Sequence, residues 1–587
     1  MYWPTPFPGA GCHINGKMFP GGSREPSEII AGLTNKMLAD QIRQCILDAL
    51  KASGIEQETV KKFYDVPLES PKNREFGHYS TNLPFQLAKL AKKPPFQLAE
   101  QLAACIDLSM FEKVEPVKPG FINFKLKPET LRGVIPEIIE SGDNYGRTEF
   151  GAGHRIQVEF VSANPTGPLS VGHGRLAAFG DALASLLAEA GFNVEREFYV
   201  NDIGGQIENL ALSIELRCRE LLGETIDPEE LKYKGDYIIE PAKALLETHG
   251  DPLLKMDESE RRSIMAEFTM EQIMGAQKKT LKRIGLVFDN WFREHTLHDQ
   301  GVVEQTLELL TSRGEAYEKD GAHWFASTKY KDTEDRVLKK SDGRPTYFLA
   351  DIAYHNNKYQ RGFDTVIDIW GADHHGYINR MKSAVQAMGY DPDRLEVLIV
   401  QLVRFKESGE YVKMSKRAGK MITIDDLVDE VGADMARFFF IARSRESHLD
   451  FDLELAKEKS EANPLFYLQY AHARICSLIA KAAEAGLKPG GAETLSRLAD
   501  EREYHLMKLI ADYPWEIQSS AAGREPHRLI AYLTVVAGAF HNFYHDLRVI
   551  APEEPELSGA RLALSTAARN VIRNGLRVLG VSAPEKM

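Results

Sequence analysis

The sequence predicts an α/β protein: a parallel sheet split by a long insertion, preceded by a mixed α+β segment and followed by an all-α segment. Three observations carry this expectation. Short apolar runs, RIQVEFV (155–161), NVEREFYV (193–200), TVIDIW (365–370) and LEVLIVQLV (395–403), alternate with helical periodicities, the pattern of parallel strands joined by crossover helices. Between about 203 and 340 the chain is charged and largely helical in pattern, which interrupts the strand series. From about 456 onward apolar residues recur only at helical spacing.

Taken in order, residues 1–36 carry five prolines and six glycines, lack the apolar core of a signal peptide, and read as a disordered extension, a vector remnant or a start codon placed too early. After Met37, the residues Leu38, Ile42, Ile46, Leu47 and Leu50 recur at helical spacing. NLPFQLAKLAKK reads as a helix ended by Lys92, Lys93, Pro94 and Pro95, and KPGFINFKL (118–126) as a turn leading into a strand. A Pro/Gly-rich turn from Ala163 to Gly174 and a long helix, AAFGDALASLLAEAG, follow the 155–161 run. At about 150 residues per domain, 587 residues suggest three or four domains. The expected boundaries are 37–145, 146–455 and 456–587.

Composition narrows the function. Hydrophobic residues make up 43% and no apolar run is long enough for a membrane span. Five scattered cysteines fit neither a disulfide scaffold nor a zinc ribbon and point to a reducing compartment. A net charge of −13 excludes a wholly basic nucleic-acid binder but not a local binding patch.

Two segments carry chemistry. The turn Ala163-Asn164-Pro165-Thr166-Gly167-Pro168-Leu169-Ser170-Val171-Gly172-His173-Gly174-Arg175 joins a strand to a helix. There the helix N-terminus offers N–H groups to an anion, Gly172 and Gly174 permit close approach, and His173 can reach a phosphate oxygen. A tight turn with a capping histidine is an equal reading of this stretch alone. The second segment, Lys413-Met414-Ser415-Lys416-Arg417-Ala418-Gly419-Lys420, sets four cations beside a glycine. It can close on a polyphosphate, though alone it reads as a solvated basic loop. No Walker or kinase signature is present.

In this order the two segments resemble the signature motifs of class I aminoacyl-tRNA synthetases: Ser170-Val171-Gly172-His173 its His-x-Gly-His, and Lys413-Met414-Ser415-Lys416 its Lys-Met-Ser-Lys. Glu159-Phe160 with the 163–168 turn, Thr346-Tyr347 with Asp351-Ile352-Ala353-Tyr354, Trp370 to His375, Phe438 to Arg445, FGHYSTNLPFQLAK and the closing VIRNGLRVLGVSAPEKM resemble the arginyl-tRNA synthetase family of bacterial type. The resemblance implies a Rossmann-like catalytic domain split by an insertion, an N-terminal tRNA-contacting domain and a helical anticodon-binding domain. It implies ATP-dependent ligation of L-arginine to tRNA(Arg) through arginyl-adenylate, with activation needing bound tRNA. It implies ATP with Mg²⁺, no zinc, no membrane, a monomer and a cytoplasmic location.

The resemblance also implies site residues. His173, Lys413 and Lys416 would be catalytic. Ser170, Gly172, His173, Gly371, His374, Met414, Ser415 and Lys416 would bind ATP. Glu159, Asn164, Tyr347, Asp351 and Asp373 would bind arginine, whose guanidinium a carboxylate such as Asp351 suits best. Tyr347, four residues earlier in a helix, would share that face. Tyr467, Tyr470 and Arg474, with His541, Tyr544 and Arg548, repeat an i, i+3, i+7 spacing that can present aromatics and a cation to unstacked bases, or serve as bundle packing. Lys61, Lys62, Lys92 and Lys93 could touch phosphates or be solvated. His541 with His545, and His295 with His298, lack a convincing metal-ligand set.

One departure stands out: Ser170 occupies the position of the first motif histidine, and a hydroxyl donates one hydrogen bond but carries no imidazolium charge. Two other readings stand beside the ligase, and Ser170 favours the first of them. One is a synthetase-like paralogue that binds tRNA or ATP without charging. The other is a tRNA-independent nucleotidyltransferase, which leaves the helical C-terminal region unexplained.

Overall fold

A computed structural model describes residues 37–55, 66–71, 73–330, 332–407, 410–412 and 422–587. The 1–36 extension, Lys61, Lys62 and the second motif, Lys413 to Lys416, lie outside the described residues. The chain divides into two compact units.

The first unit joins the described residues up to 150 and Glu189–Gly191 to Lys459–Met587. Its N-terminal part holds an antiparallel sheet of β1 (Tyr79–Thr81), β2 (Phe111–Val117) and β3 (Phe121–Leu126), with β3 in the middle. Ile122, Asn123 and Phe124 are all buried, as a central strand covered on both faces requires. The helix Leu38–Ala52 buries Leu38, Ile42, Ile46 and Leu50, the stripe read from its spacing. The helix Leu83–Ala91 stops where Lys92 turns left-handed (φ 51°), just before Pro94 and Pro95.

The C-terminal part is helical throughout: Pro464–Glu484, Glu501–Ala511, Tyr513–Gly523, Pro526–Asp546 and Pro555–Val578. Buried polar bonds stitch the two parts together. Tyr79 Oη donates to Asp512 at 2.5 Å, and Arg132 reaches the Leu498 carbonyl at 2.6 and 3.0 Å. Asn574, with no exposed surface, donates to the carbonyls of Gly142 (2.8 Å) and Tyr145 (3.0 Å). Segments hundreds of residues apart thus form one unit.

The second unit comprises Gly151–Ala188 and Phe192–Glu458. Its main sheet contains β4 (Arg155–Glu159), β5 (Asn193–Val200) and β6 (Asn290–Arg293). Three short antiparallel strands follow, β7 (Ala316–Lys319), β8 (Ala322–Phe325) and β9 (Arg336–Lys339), and then β10 (Thr365–Gly371) and β11 (Leu395–Val400) return to the main sheet. Every neighbour in the order β11-β10-β4-β5-β6 is parallel. The chain runs outward from β4 to β6, then crosses back to the other side of β4. The order therefore reverses between β4 and β10, the place where open α/β sheets bind ligands. A small sheet holds β12 (Val403–Glu407), β13 (Glu410–Val412) and β14 (Leu449–Asp452), with β12 antiparallel to β13 and parallel to β14.

The 203–340 stretch differs from its helical reading. Helices Gly205–Leu221, Ile239–His249 and Glu258–Arg283 pack on their own core, which includes Leu210, Ile214, Leu245, Met265 and Met270. Yet β6 is an edge of the main sheet and β7–β9 form a separate one. These strands are four residues each and three of them carry charges, so neither length nor alternation marks them.

Removing the Asn574 amide strands two carbonyls at once. Asn574→Ala is expected to lower unfolding stability by about 2–3 kcal/mol, measured by denaturant titration followed by tryptophan fluorescence.

Candidate active site

The reversal between β4 and β10 brings two acids together. Glu159, the last residue of β4, lies in register with Asp368 on β10. Two adjacent buried carboxylates repel strongly unless a cation joins them. Lys358, fully buried on the helix Tyr347–Gln360, supplies it: Nζ donates to Glu159 Oε2 at 2.5 Å and to Asp368 Oδ1 at 2.8 Å. Burial opposes the lysine's charge, but Asp368 and then Glu159 outweigh it and hold the ammonium above the usual lysine pKa. Burial also opposes charge on Asp368, where Lys358 and His355 prevail and keep the carboxyl well below its ordinary value. His355 Nε2 lies 2.8 Å from Asp368 Oδ2, while its Nδ1 faces the Asp351 carbonyl at 2.7 Å. Burial raises Glu159, against the pull of Lys358.

Above this cluster opens a cavity of about 400 Å³. Glu159, Asn164, His173, Asp351, Gly371, Asp373 and His374 all line it, so one space collects residues read separately from the sequence. Tyr199, Tyr354, His355, Asp368, Trp370 and Tyr377 complete much of the wall. Asp351 Oδ2 accepts from the Tyr377 hydroxyl at 2.7 Å, and burial, working against that bond, pushes the carboxyl up to about 6. Behind it, Glu294 is pushed up to about 7 by burial, despite the Tyr199 hydroxyl it accepts from. Asp373 and His374 sit exposed at the rim, 3.4 Å apart. Tyr347 opens the helix that carries Asp351, but it is 65% exposed and lies outside the cavity wall.

The phosphate-type turn begins under backbone strain. Val161 (φ 69°) and Ser162 (φ 39°) occupy left-handed geometry directly after β4. Ser162 Oγ donates to Glu159 Oε1 at 2.8 Å and accepts from the Tyr199 N–H at 3.2 Å, which fixes that conformation. The helix Val171–Glu189 follows. His173 Nδ1 accepts from the Ser170 N–H at 3.1 Å, with Ser170 Oγ 3.2 Å away. An Nδ1 that accepts leaves the proton on Nε2, and burial lowers the ring's pKa, favouring the neutral form. Ser170 therefore sets the tautomer of His173. The two glycines differ: a Cβ on Gly172 would meet only Ser170 Oγ, at 3.5 Å, whereas one on Gly174 would strike the Phe440 ring at 2.8 Å. Gly174 serves packing rather than ligand approach.

Lys413, Met414, Ser415 and Lys416 lie outside the described residues, which resume at Ile422. Ile422 O accepts from Val171 N at 3.3 Å, Ile424 N donates to Leu169 O at 3.0 Å, and Thr423 bridges Ser170. Backbone hydrogen bonds thus join the end of the second loop to the start of the first motif's helix.

In the first unit the two aromatic stripes meet. Arg474 donates to His541 Nδ1 at 3.1 Å and to Tyr470 Oη at 2.9 Å, and its guanidinium lies 4.7 Å from the Tyr470 ring centroid and 5.4 Å from that of Tyr544. Tyr467 stands 5.0 Å from His541, centroid to centroid. Arg548 is excluded: its helix ends at Asp546, and Arg548 turns to Glu553 at 2.5 Å. His545 pairs with Asp546. His295 donates to Asp202, and no group of metal-ligating side chains occurs among the described residues.

The sequence reading missed Lys358, His355, Asp368, Tyr199, Tyr377 and Glu294. A signal existed for the first two: Asp351, His355 and Lys358 are spaced i, i+4, i+7 on one helix. Glu294 had none, because it follows the unread strand β6.

Comparison with known proteins identifies the architecture. A Thermus thermophilus arginyl-tRNA synthetase superposes with a TM-score of 0.71 at 24% identity, covering 94% of this chain and all of that one. Mycobacterium tuberculosis methionyl-tRNA synthetase does so with a TM-score of 0.51 at 11% identity, covering 72% of this chain and 91% of that one. The fold is that of the class I aminoacyl-tRNA synthetases. Models for the arginyl tRNA synthetase N terminal domain (residues 40–126), the tRNA synthetases class I (R) catalytic domain (134–448) and the DALR anticodon binding domain (468–587) match in order. An arginine–tRNA ligase of Carboxydothermus hydrogenoformans is 49% identical over 542 residues, covering 92% of this chain and 97% of the relative. The chain belongs to the arginyl-tRNA synthetase family.

His173→Ala removes a preorganised donor and is expected to lower the rate of adenylate formation about 10²–10³-fold. Ser170→Ala keeps the N–H that fixes the tautomer and should cost under about tenfold. Single-turnover kinetics of both variants checks this order.

Proposed function

We propose that the cavity at β4 and β10 binds L-arginine and Mg-ATP together, and that the chain ligates arginine to tRNA(Arg) through arginyl-adenylate. The observation that carries this reading is the meeting, in one cavity, of a carboxylate suited to a guanidinium, Asp351, and a histidine donor at a helix N-terminus, His173. Asp351 takes the guanidinium, with the buried Glu294 adding negative potential behind it. Glu159, held by Lys358 and Ser162, and Asn164 receive the α-ammonium group. The arginine carboxylate oxygen attacks the α-phosphorus, an O–P bond forms, and pyrophosphate leaves. His173 Nε2–H, the helix N-terminus and the motif lysines Lys413 and Lys416 meet the charge that develops on the phosphates. Gly371 and His374 border the adenosine side. A terminal ribose hydroxyl of tRNA(Arg) then attacks the carbonyl carbon and AMP leaves.

The cluster of Tyr467, Tyr470, Arg474, His541 and Tyr544 offers ring faces and a cation to unstacked anticodon bases. Mg²⁺ enters with ATP, and the chain acts as a cytoplasmic monomer. The relatives' ligase activity and the complete carboxylate and histidine set support charging over a non-charging paralogue, and Ser170 no longer favours the latter because its N–H serves His173. A tRNA-independent nucleotidyltransferase leaves the 468–587 match without a purpose.

The test is arginine-dependent ATP–pyrophosphate exchange with and without tRNA, with lysine and canavanine as comparison substrates. Exchange with arginine only when tRNA is present is expected; exchange equal for lysine, or none with tRNA bound, contradicts the reading.

Two further outcomes follow from the acids. Asp351→Asn leaves the guanidinium without its charge partner and is expected to raise KM for arginine by at least about 100-fold, equivalent to about 3 kcal/mol. A cation binds the ionised carboxyl, so affinity is full above Asp351's raised pKa and is lost below it. Arginine KM is expected to rise about tenfold as the pH falls from about 7 to about 5, measured by exchange kinetics across that range.

A further inference from the structure

Three side chains from the helical insertion converge on the phosphate-type turn. Gln206, on Gly205–Leu221, accepts from Asn164 Nδ2 at 2.7 Å. Tyr237 lies against Gly167, where a Cβ would stand 3.3 Å from its ring. Gln277, on Glu258–Arg283, donates through one amide nitrogen to the carbonyls of Asn164 (3.2 Å) and Gly167 (2.9 Å). Gln277 is 2% exposed, and its Oε1 has no hydrogen-bond partner among the described residues. A buried acceptor left without a donor is unfavourable, and an apolar side chain of similar length avoids that cost. Unlike the carbonyls held by Asn574, those of Asn164 and Gly167 belong to half-buried residues that water can reach, so stability alone does not call for a glutamine here. Its amide does one thing an apolar group cannot: it fixes two carbonyls of the turn.

The same helix is registered against the other motif's exit. One turn beyond Gln277, the Thr280 hydroxyl and the Arg283 guanidinium pair with Asp425, and Arg283 also pairs with Asp429. Both acids lie on the helix Ile424–Val431, which begins at the backbone bonds to Leu169 and Val171. The last two turns of Glu258–Arg283 thus hold the phosphate-type turn at Asn164–Gly167 and, through Asp425, the segment bonded to its far end.

We propose that Gln277 is a positioning residue for the ATP half-reaction: it holds the Asn164 and Gly167 carbonyls so that the helix N-terminus and His173 meet the ATP phosphates. This rests on the ATP-binding reading above. A shift of the turn by a fraction of an ångström weakens the phosphate contacts most and the Asn164 contact to the α-ammonium group less, and it leaves the Asp351 end of the cavity untouched.

The test uses the full-length chain with Gln277→Met and Gln277→Glu, assayed by ATP–pyrophosphate exchange in the presence of tRNA(Arg), by calorimetric titration with ATP, and by thermal melting. Gln277→Met is expected to weaken ATP binding and raise KM for ATP about 5–20-fold, with arginine KM rising less, by no more than about threefold through Asn164, and melting temperature unchanged. Gln277→Glu can donate only when protonated, so its kcat/KM for ATP relative to the wild type should rise as the pH falls. The proposal is overturned if Gln277→Met binds ATP normally, if both KM values rise together with a lower melting temperature, or if the Gln277→Glu ratio does not change with pH. Wild-type protein that binds ATP more tightly than Gln277→Met, yet shows no arginine-dependent exchange, supports the positioning role and sinks the charging reading alone. Wild-type protein that binds no ATP overturns both.

Discussion

Glu159 and Asp368 stand side by side on adjacent parallel strands, buried, at the point where the strand order of the main sheet reverses. That juxtaposition is untenable without a cation between them. Lys358 answers it from the helix leading into β10, and much around the site depends on the arrangement. It fixes the helix Tyr347–Gln360 against the sheet, and the same helix carries Asp351 and His355 toward the cavity. It leaves Glu159 with one oxygen gripped by Lys358 and the other by Ser162, so the carboxylate at the cavity floor has one orientation.

Topology opens a cavity above this charge cluster. In an open parallel sheet the chain leaves adjacent strands in opposite directions at the switch point, and a crevice results. The strained residues Val161 and Ser162 bend the chain out of β4 into the turn. Arg175, buried and donating to the carbonyls of Gln401, Ser444 and Ser447, fastens the first helix to segments that flank the second motif. The charged side chains of the interior thus act mainly as fasteners, while Asp351 presents to the cavity a carboxyl that burial has raised.

Much of this was legible in the sequence, and what was not has physical causes. The apolar runs at 155, 193, 365 and 395 mark buried strands because both faces of a parallel sheet are covered. β6 escaped because an edge strand of four residues, Asn290 to Arg293, shows neither a long apolar run nor clear alternation. Gly172, His173, Asp351 and Glu159 were readable from local motifs, whereas Lys358 and Asp368 acquire meaning only when the sheet sets them together. Arg548 failed for a local reason: the spacing that joined it to His541 and Tyr544 presumes a helix that stops at Asp546. The two aromatic stripes, read separately, meet at Arg474, a contact between helices that no local spacing announces. Gln277 gave no signal, because an amide among charged residues on a long helix looks like surface.

The central claim is that Lys358 balances two acids rather than merely filling space, and a charge-deletion series tests it most directly. Denaturant unfolding would be compared for the wild type, Lys358→Met, and the triple variant Lys358→Met with Glu159→Gln and Asp368→Asn. The account predicts that Lys358→Met alone costs about 3–5 kcal/mol and that neutralising both acids recovers most of the loss. Equal losses in the single and triple variants, or a single-variant loss below about 1 kcal/mol, would contradict it.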